Sequence, residues 1–379
     1  MKICILTTGY LPKIGGVEIV THNLSKELIR LGHEIHIITP SEDVSSSTIT
    51  PDGMFLHRIH VYHHSQAETM SPYLKIILGV KLVLDMIHLI WRIKPEIIHA
   101  QNVTNAVPAW CSKVLWRIPY CIQFHNELSL MGPTLPQKLI KYWKKLPYLK
   151  DANEVIVLTK IMYDETYNAT GISAKIIPNG VDTSIFHPNF KNAEENVVPT
   201  LICVSRLDNK KGIEYAIESV HSLVKEYPES RLLIIGDGDF RKYLENMVTT
   251  LELSKNIEFL GSIPNIQVAN YLREADIFLL PSLSEGLPLT LLEAMACGLP
   301  IIATPVSIVP EIIQKWNNGI IVSFKSSDEI TNAVRQMVET GLVSKLGSNS
   351  YHASKCTYSW SVISKKYEEL YSQILQKIQ

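Results

Sequence analysis

Short runs of aliphatic residues alternate along the chain with longer segments whose apolar positions recur at helical spacing. The runs of the first half are KICILTT, EIHIIT, PEIIHA, YCIQF and EVIVL, and those of the second half are TLICVS, RLLIIG, IEFLG, IFLLPS, PIIAT and GIIVS. In the second half, helical segments lie near residues 212–226, 239–252, 266–274 and 289–297. Strands that alternate with helices favour parallel strands joined by crossover connections. The pattern predicts an α/β protein built from doubly wound parallel sheets.

One polar segment interrupts this alternation. Residues 187–200, HPNFKNAEENVVPT, contain two prolines and no periodicity, which is typical of a linker. A chain of 379 residues is also too long for one ordinary hydrophobic core, and usual domain sizes suggest about two units. We predict a first domain at residues 1–188, a second at 189–356 and a C-terminal helix at 357–379. In doubly wound domains, ligands bind at the carboxyl ends of the strands, which here would face a cleft.

The most apolar long stretch, residues 73–94, is interrupted by Lys75, Lys81, Asp85 and His88. It therefore lacks the roughly 18 uninterrupted apolar residues of a membrane-spanning helix. We interpret it as a largely buried helix and expect any membrane contact to be peripheral. No signal peptide is expected, because MKICILTTGY passes from a short strand into a loop without a small-residue cleavage site.

Composition narrows the classes of function. The chain has 36 basic and 37 acidic residues and a net charge of −1, without the basic excess of an electrostatic nucleic-acid binder. Its six cysteines are scattered and form no CxxC pair, which is typical of buried free thiols in a cytosolic chain. We therefore expect a cytoplasmic protein without a nucleic-acid partner.

One basic segment, KLIKYWKKLPYLK at residues 138–150, combines five lysines with Tyr142, Trp143 and Tyr148. It fits an amphipathic helix in peripheral contact with an anionic membrane, which would place the protein at the inner face of the membrane. It fits equally well an ordinary surface helix whose lysine stems cover apolar neighbours. The sequence leaves both interpretations open.

A glycine pair stands where the first strand meets the first helix, in TTGYLPKIGGVE. Backbone N–H groups at such a turn can approach an anion, and the helix dipole favours negative charge there. A strand-to-helix turn without any ligand has the same sequence character. The segment GDGDF after RLLIIG shares this ambiguity, and neither segment has the spacing of a dinucleotide fingerprint.

Charged side chains follow two predicted strands of the second domain. VSRLDNKKG places Arg206 just beyond one strand and Lys211 at the start of the next helix, which suits a diphosphate or an ordinary solvated loop. In SEGLPLTLLEAMACGLP, Glu285 lies in a loop and Glu293 about one turn into a helix. Both carboxylates can face one ligand, with Glu293 accepting hydrogen bonds from vicinal hydroxyls. Alternatively, Glu285 caps the helix and Glu293 is solvated.

These motifs together resemble the retaining family 4 glycosyltransferases of the GT-B fold. SEGLPLTLLEAMACGLP resembles the E-x7-E signature of that family, VSRLDNKKG its R-L-x-x-x-K-G loop, and IPNGVDTSIFHP the segment that closes its first domain. GGVE and RLGHE resemble its first helix, so the resemblance runs from IGGVE to the last helix. It implies two Rossmann-like domains facing a cleft and a C-terminal helix that crosses back to the first domain.

The resemblance implies a donor site for a nucleotide-diphosphate sugar, linked to UDP or GDP, that requires no cofactor and no metal. Arg206 and Lys211 would neutralise the diphosphate, Glu293 would hold the ribose and Glu285 the transferred sugar. Other positions match the backbone contacts of this site: Gly16 for the donor phosphates, Ile263 for the base, and Leu287, Pro288 and Leu289 for phosphate and sugar.

His125, in CIQFHNE just beyond a strand, matches the family histidine beside the sugar and the β-phosphate. Without the family, a lone histidine at this place is more often a packing or capping residue. The catalytic residues implied are His125, Glu285, Arg206 and Lys211. The acceptor implied is a saccharide or a lipid-linked molecule, in the synthesis of cell-surface glycans or glycolipids. The segment VYHH has no cysteine or carboxylate at ligand spacing, so no metal site is predicted.

The chain departs from the family in TPVSIVPEII, where Ser307 and Ile308 stand in place of two glycines. This departure puts the local phosphate loop and the donor preference in doubt. Two other functions stay open on the same architecture. A hydrolysing sugar-nucleotide 2-epimerase would consume the donor without an acceptor, and a non-catalytic sugar-nucleotide-binding partner would bind the donor without turnover. Fold alone does not choose among them.

Overall fold

The computed structural model describes residues 1–12, 15–43, 45–61, 71–125, 146–189 and 198–378. The chain forms two compact units, one of Met1–Asn179 with Trp360–Gln379 and the other of Gly180–Ser359. Residues 190–197 of the predicted linker lie outside the described residues. The chain passes from the first unit to the second at Asn179 and returns after Ser359.

The first unit contains an eight-stranded sheet with the strand order β3-β4-β2-β1-β5-β6-β7-β8. Its strands are β1 (Lys2–Leu6), β2 (Glu34–Ser41), β3 (Ser46–Ile49), β4 (Phe55–His60), β5 (Ile97–Ala100), β6 (Tyr120–Gln123), β7 (Glu154–Val157) and β8 (Lys175–Ile176). Its helices include α1 (Gly16–Arg30), α2 (Pro72–Ile93), α3 (Ala106–Trp116), α4 (Pro147–Lys150), α5 (Lys160–Thr170) and the C-terminal helix (Trp360–Gln376).

Strand β1 lies at the middle of this sheet, parallel to both of its neighbours. Ile5 stands opposite Ile37 of β2 on one side and opposite His99 of β5 on the other. The chain builds β2 and β4 on one side of β1 and then turns to β5 on the opposite side. The carboxyl ends of β1 and β5 therefore form a topological switch point, where doubly wound sheets bind ligands. The predicted doubly wound architecture is confirmed.

Three strands of the first sheet were not predicted. The antiparallel pair of β3 and β4 lies at one edge, and all four residues of β3 are exposed. Strand β4 buries only Leu56 and Ile59, and β8 has two residues. None of the three has the continuous apolar run that identified the central strands.

The second unit contains a six-stranded sheet with the order β11-β10-β9-β12-β13-β14. Its strands are β9 (Thr200–Val204), β10 (Arg231–Ile235), β11 (Ile257–Gly261), β12 (Ile277–Leu280), β13 (Ile301–Ala303) and β14 (Gly319–Ile321). Its helices include α6 (Ile213–Leu223), α7 (Arg241–Thr250), α8 (Asn265–Glu274), α9 (Leu289–Ala296), α10 (Val309–Trp316), α11 (Ser327–Glu339) and α12 (Leu342–Ala353), followed by a π-helical turn at Ser354–Tyr358.

The described pairs of this sheet are all parallel, and β9 lies between β10 and β12. The chain builds β10 and β11 on one side of β9 and then crosses to β12 on the other. Buried Ile217, Ile234 and Leu279 belong to the hydrophobic core that joins the sheet to its helices. The loops after β9 and β12 consequently meet at a second switch point, and these loops carry Lys211 and Glu285.

The apolar stretch at residues 73–94 forms α2, and the expectation that this helix is largely buried is wrong. Ile76 is 66% exposed, Val80 55% and Leu84 59%, whereas Met86 and Ile90 are buried. The two buried positions are four residues apart, so a narrow stripe near the end of the helix faces the unit. Within the described ranges, no helix is long and apolar enough to cross a membrane.

The C-terminal helix packs with α1 inside the first unit. The hydroxyl of Tyr367 donates a hydrogen bond of 2.9 Å to Gln123 Oε1, at the end of β6. The hydroxyl of Tyr371 lies 2.8 Å from Nδ1 of His99, on β5. Both tyrosines are buried. The last helix of the chain thus covers central strands of the first sheet.

Candidate active site

The two loops at the second switch point are held together by their backbones. The N–H of Leu283, after β12, donates a hydrogen bond of 2.7 Å to the carbonyl oxygen of Lys210, after β9. Gly212 has a φ of +62°, and a Cβ atom there would overlap the carbonyl oxygen of Pro281. Glycine alone accommodates this left-handed conformation at so close an approach. The junction fixes the position of Lys211, next to Gly212, relative to the loop after β12.

Lys211 and Glu285 form an ion pair at this junction. Lys211 Nζ lies 2.8 Å from Glu285 Oε1, and the Ser282 hydroxyl donates to the same oxygen at 2.8 Å. The Lys211 side chain is 18% exposed and that of Glu285 10%. Removing two charges from water costs free energy that only good geometry and further hydrogen bonds offset. The structure therefore brings these two predicted residues together and adds Ser282, which the sequence analysis did not select.

Glu293, on α9, is a buried carboxylate with 9% of its surface exposed. Among the described residues, no hydrogen bond or ion pair to its side chain is present, and burial raises its pKa to about 7. The cause is the loss of water around the charged form. A carboxyl group that is buried without compensation is more typical of a functional site than of packing. The alternative of a solvated helix residue is wrong for Glu293.

The start of α9 lies between these two glutamates. Pro288 is the N-cap residue with an extended backbone, its side chain makes no capping hydrogen bond, and Leu289 begins the helix. The first N–H groups of a helix lack intrahelical partners and carry the positive end of its dipole. Leu287, just before the cap, is buried. This helix start is suited to a phosphate or a sugar oxygen.

Ile263 lies two strands beyond β9, further from the centre of the sheet than the other predicted residues of this unit. It follows β11, the edge strand, and precedes α8. Its side chain is half-buried. The structure thus places Ile263 on the same carboxyl edge as the switch point but brings it into no described contact with the Lys211–Glu285 pair.

Arg206 is not brought to the Lys211–Glu285 pair. Its side chain is 77% exposed, and its Nε and Nη2 atoms lie 3.0 and 2.9 Å from Asp208 Oδ2. An ion pair at such exposure contributes little to stability. The guanidinium group can therefore turn toward an anion at small cost.

The GDGDF segment packs on the loop that carries Arg206. The Leu207 N–H donates to the carbonyl oxygen of Asp237 at 2.9 Å, and the Phe240 N–H donates to that of Leu207 at 3.1 Å. Gly236 has a φ of +128°, and a Cβ there would overlap the carbonyl oxygen of Ser205. Contact between the two backbones accounts for this glycine without a phosphate.

Ser307 adopts the backbone conformation that a glycine favours. Its φ is +44°, in the left-handed region that side chains disfavour. Its Oγ is buried and has no hydrogen-bond partner within the described part of the chain. Ile308, the other replaced position, has a φ of −81°, which requires no glycine. The loop after β13 thus keeps a left-handed residue although both family glycines are absent.

The switch point of the first sheet holds His125 in one orientation. The Gln101 N–H and the Asn105 side-chain amide donate to the carbonyl oxygen of Leu6 at 2.9 and 3.1 Å, which joins the loops after β1 and β5. Gln101 Oε1 lies 2.6 Å from His125 Nε2. A neutral ring that donates from Nε2 to this amide oxygen leaves Nδ1 as an acceptor. Burial lowers the pKa of His125 to about 4, so the ring is neutral at physiological pH.

Gly16 begins α1 beyond the carboxyl end of β1. No described atom lies within 4 Å of the place that a Cβ would take on Gly16. At Gly15 and at Gly9, by contrast, a Cβ would overlap the carboxylate of Glu18. Since that carboxylate is the end of a flexible side chain that can move aside, packing within the described chain requires glycine at none of these three positions.

Three residues that contact predicted site residues were missed: Ser282, Asp208 and Gln101. Gln101 directly follows β5, so a switch point assigned from strand order would have identified it.

The basic segment at 138–150 lies outside the described residues as far as residue 145. In the described chain, no group of three or more His, Cys, Asp or Glu residues could hold a metal ion. The expectation of metal-free chemistry stays a prediction.

Comparison with solved structures identifies the class of fold. Sucrose-phosphate synthase from Thermosynechococcus elongatus superposes with a TM-score of 0.80 at 20% identity, over 99% of both chains. An Anabaena protein determined in complex with UDP superposes with a TM-score of 0.77 at 18% identity, over 98% of this chain and 100% of that one. Two doubly wound parallel sheets of this form are the GT-B architecture.

Two family profiles together span most of the sequence. Residues 14–185 match the one described as Glycosyltransferase Family 4, and residues 185–353 match Glycosyl transferases group 1. The chain belongs to these families and is a glycosyltransferase. It is 27% identical over 405 residues to alpha-monoglucosyldiacylglycerol synthase of Acholeplasma laidlawii, with 100% of this chain and 98% of that protein covered. The predicted family, fold and enzyme class are confirmed.

Proposed function

We propose that the protein transfers a sugar from a nucleotide-diphosphate sugar to a hydroxyl group of a saccharide or lipid-linked acceptor, with retention of configuration at the anomeric carbon. The observation that carries this proposal is the grouping at the second switch point. Lys211 and Glu285 are paired at 2.8 Å, and the buried Glu293 follows on the helix after Glu285. A cation, a helix start and two carboxylates suit a ligand that combines phosphates with sugar hydroxyls.

The donor is proposed to be a UDP- or GDP-sugar. The Anabaena protein, which shares the fold, was determined with UDP, and this supports a nucleotide donor. In this proposal the backbone near Ile263 reads the base, and Glu293 accepts hydrogen bonds from the two ribose hydroxyls. A carboxylate binds vicinal hydroxyls well because each of its oxygens accepts a charge-assisted hydrogen bond.

Lys211 and Arg206 are proposed to stabilise the leaving group. When the bond between the sugar and the phosphate breaks, negative charge develops on the diphosphate. Two cations and the backbone N–H groups of Leu287 and Leu289 would stabilise that charge without a metal ion. Arg206 would leave Asp208 for the phosphate, and Lys211 would share its contacts between the phosphate and Glu285.

The proposed chemistry needs no covalent bond to the protein. The acceptor oxygen attacks the anomeric carbon on the face from which the phosphate leaves, and the departing phosphate oxygen takes the proton of the acceptor hydroxyl. Glu285 would orient the sugar by accepting from its hydroxyls. In this proposal the backbone of Gly16 meets the donor phosphates, and the neutral His125 accepts from a sugar hydroxyl through Nδ1.

The acceptor is proposed to belong to glycolipid or glycan synthesis, on the cytoplasmic side of the membrane. The name of the Acholeplasma laidlawii relative, alpha-monoglucosyldiacylglycerol synthase, describes a glycosylated diacylglycerol as its product. This relative aligns over the whole of the present chain. We therefore take diacylglycerol-type and lipid-linked saccharide acceptors as the first candidates.

The donor proposal is tested by thermal shift with UDP-, GDP- and ADP-sugars in the presence of EDTA. A ligand that binds only the folded state at about one hundred times its Kd stabilises that state by about 2.7 kcal/mol. We expect a clear rise in melting temperature with one nucleotide class, and none with free glucose. Folded protein that responds to no nucleotide sugar would contradict the donor site.

Product analysis then tests the transfer itself. With donor and lipid-linked acceptor, we expect a glycoside whose anomeric configuration, read by NMR, equals that of the donor. Inverted product would contradict retention. Donor consumed without any acceptor would indicate the 2-epimerase, and donor bound without turnover would indicate the non-catalytic partner.

The Gly16→Ala variant tests whether glycine at position 16 is needed for donor binding or for the stability of the fold. A Cβ at this position has open space in the described structure, and alanine favours the helix, so we expect an unchanged or slightly higher melting temperature. If the donor phosphates approach this backbone, the added methyl group weakens donor binding by about tenfold or more. Calorimetric titration with the donor measures the effect. Unchanged affinity would remove Gly16 from the donor site.

A further inference from the structure

The first turns of α2 form an exposed apolar surface on the first unit. Tyr73 is 75% exposed, Ile76 66%, Ile77 46% and Val80 55%. These residues do not follow one stripe, since Ile76 and Ile77 point about 100° apart on an α-helix. The helix is therefore apolar and exposed on more than one side over its first turns.

Such a helix is unusual on a free surface. Single exposed apolar residues are normal, but a contiguous group marks a place where another surface binds. An α-helix that is apolar around its circumference is normally buried. The neighbouring helix α3, which packs with α2, adds Val114 and Leu115, exposed by 63% and 60%. We call Tyr73, Ile76, Ile77, Val80 and Leu84 the α2 patch.

Most charged residues along α2 and its C-cap are positive. Along residues 72–94 the basic residues are Lys75, Lys81, Arg92 and Lys94, and the one acidic residue, Asp85, is paired with Lys81 at 2.6 Å. Exposed Arg117 follows α3. Basic side chains among exposed aliphatic residues complement an anionic lipid surface, where the ammonium groups meet the headgroups and the apolar side chains enter the acyl boundary.

Aromatic residues on the same helix support the same occupant. Tyr73 lies at the start of α2, and Trp91, which is 50% exposed, lies in its last turn. Trp116, at the end of α3, is 38% exposed. Tyrosine and tryptophan favour the boundary between headgroups and acyl chains, because their rings are apolar and their polar atoms stay in contact with water. A soluble protein partner would not require this combination of basic and aromatic residues around an aliphatic centre.

We propose that the α2 patch is a docking surface for an anionic lipid bilayer, in which α2 lies along the interface with its first turns entering the acyl boundary. The residues of the α2 patch and the segment 138–150 are different parts of the sequence. The inference rests on the proposed function only in that a lipid-linked acceptor would be presented at such a surface. Binding to the bilayer itself needs neither donor nor acceptor.

Cosedimentation with vesicles tests the proposal on the full chain without donor. We expect binding to vesicles of phosphatidylcholine with phosphatidylglycerol, weaker binding to phosphatidylcholine alone, and a decrease with added salt. Ile76→Glu places a carboxylate in the patch and should weaken binding by about tenfold or more. Ile49→Glu is the matched control, because Ile49 is 65% exposed on β3 of the same unit. We expect it to change binding less than twofold.

Three results would overturn the proposal. The first is absence of binding to anionic vesicles by folded protein. The second is equal binding by the Ile76→Glu and Ile49→Glu variants. The third is a dimer in solution that only Ile76→Glu dissociates, together with no vesicle binding, because the patch would then face a second copy of the chain. Since no sugar nucleotide is present, failure here leaves the transfer reaction untouched, and failure of the transfer assay leaves this result untouched.

Discussion

Lys211→Ala is expected to lower kcat/KM for sugar transfer by about a hundredfold or more, whereas Lys210→Ala changes it less than about threefold. The two lysines are adjacent, but Lys211 is 18% exposed and lies 2.8 Å from Glu285. The side chain of Lys210 is exposed, and the hydrogen bonds described for this residue are made by its backbone: its N–H donates to Asp208 Oδ1 and its carbonyl oxygen accepts from Leu283. The comparison therefore isolates one positioned charge from the general positive charge of the loop.

A loss of stability would also lower the activity of Lys211→Ala. Two further variants distinguish unfolding from the loss of a charge that acts on the leaving group. Removing Lys211 leaves the nearly buried Glu285 without its cation, which can cost about 3 kcal/mol of unfolding free energy. Arg206 is 77% exposed, so Arg206→Ala should leave the melting temperature unchanged and still reduce turnover about a hundredfold. The double variant Lys211→Met with Glu285→Gln removes both charges and should recover most of the lost stability without recovering activity.

Steady-state kinetics and thermal melts on the same preparations measure both effects. If Lys211→Ala and Arg206→Ala both stay within tenfold of the parent in kcat/KM, the leaving-group assignment is wrong. If Lys211→Ala is inactive only because it is unfolded while Arg206→Ala is fully active, the ion pair is structural.

Glu293→Gln is expected to stabilise the protein and weaken its binding to the donor. The folded-state pKa of Glu293 is about 7, above its ordinary value of 4.5. Between these two values the folded protein binds more protons than the unfolded chain. The contribution of Glu293 to stability is therefore most favourable below about pH 4.5, decreases as pH rises through 7, and is lowest above that pH.

Glutamine is neutral at every pH and removes this cost. At pH 8 we expect Glu293→Gln to raise the free energy of unfolding by up to about 3 kcal/mol, since each pKa unit corresponds to about 1.4 kcal/mol. Near pH 5 the gain should be small. Glu274→Gln, at an exposed position on α8, is the control and should change the melting temperature little at either pH.

Donor binding should move in the opposite direction. Loss of charge-assisted hydrogen bonds to the ribose is expected to weaken donor affinity by about tenfold or more at pH 8. In the parent protein, affinity should also fall as pH drops below about 7, because protonation removes acceptor capacity, and the Glu293→Gln variant should lack this pH dependence. A lower melting temperature at pH 8 with unchanged donor affinity would show that Glu293 is an ordinary packed residue.

The central strands of both sheets could be predicted because each is a continuous aliphatic run between loop signals. Ile3 to Leu6 and Leu232 to Ile235 are buried without polar interruption. Strands β3 and β4 could not be predicted in this way, since all four residues of β3 are exposed and β4 buries only Leu56 and Ile59. Helix α2 was misread for a related reason. Its apolar composition indicates that its side chains favour burial. Composition does not indicate whether the rest of the unit or another molecule buries them.

Much of the candidate site could be predicted, because the residues follow strands that end at the switch point. Lys211 and Glu285 are 74 positions apart in the sequence, and their contact follows from β9 and β12 being neighbours. Ser282, the hydroxyl partner of Glu285, and Gln101, the amide partner of His125, carry no charge and stand in no motif, so residue type alone did not mark them. The burial of Glu293 depends on how α9 packs, which periodicity does not give.

The return of the chain to the first unit at Trp360 has a consequence for biosynthesis. Val181, just after the first crossing, and Tyr358, just before the second, are joined by a hydrogen bond of 2.7 Å between backbone N–H and carbonyl oxygen. The second unit is thus an insertion whose two ends lie side by side, and it can complete its sheet while the ribosome is still adding the last residues. The first unit starts at the amino terminus, but its central strands are covered only when Tyr367 and Tyr371 have been synthesised and pack on them. The unit whose synthesis begins first can therefore complete its packing only after the whole of the second unit has been synthesised.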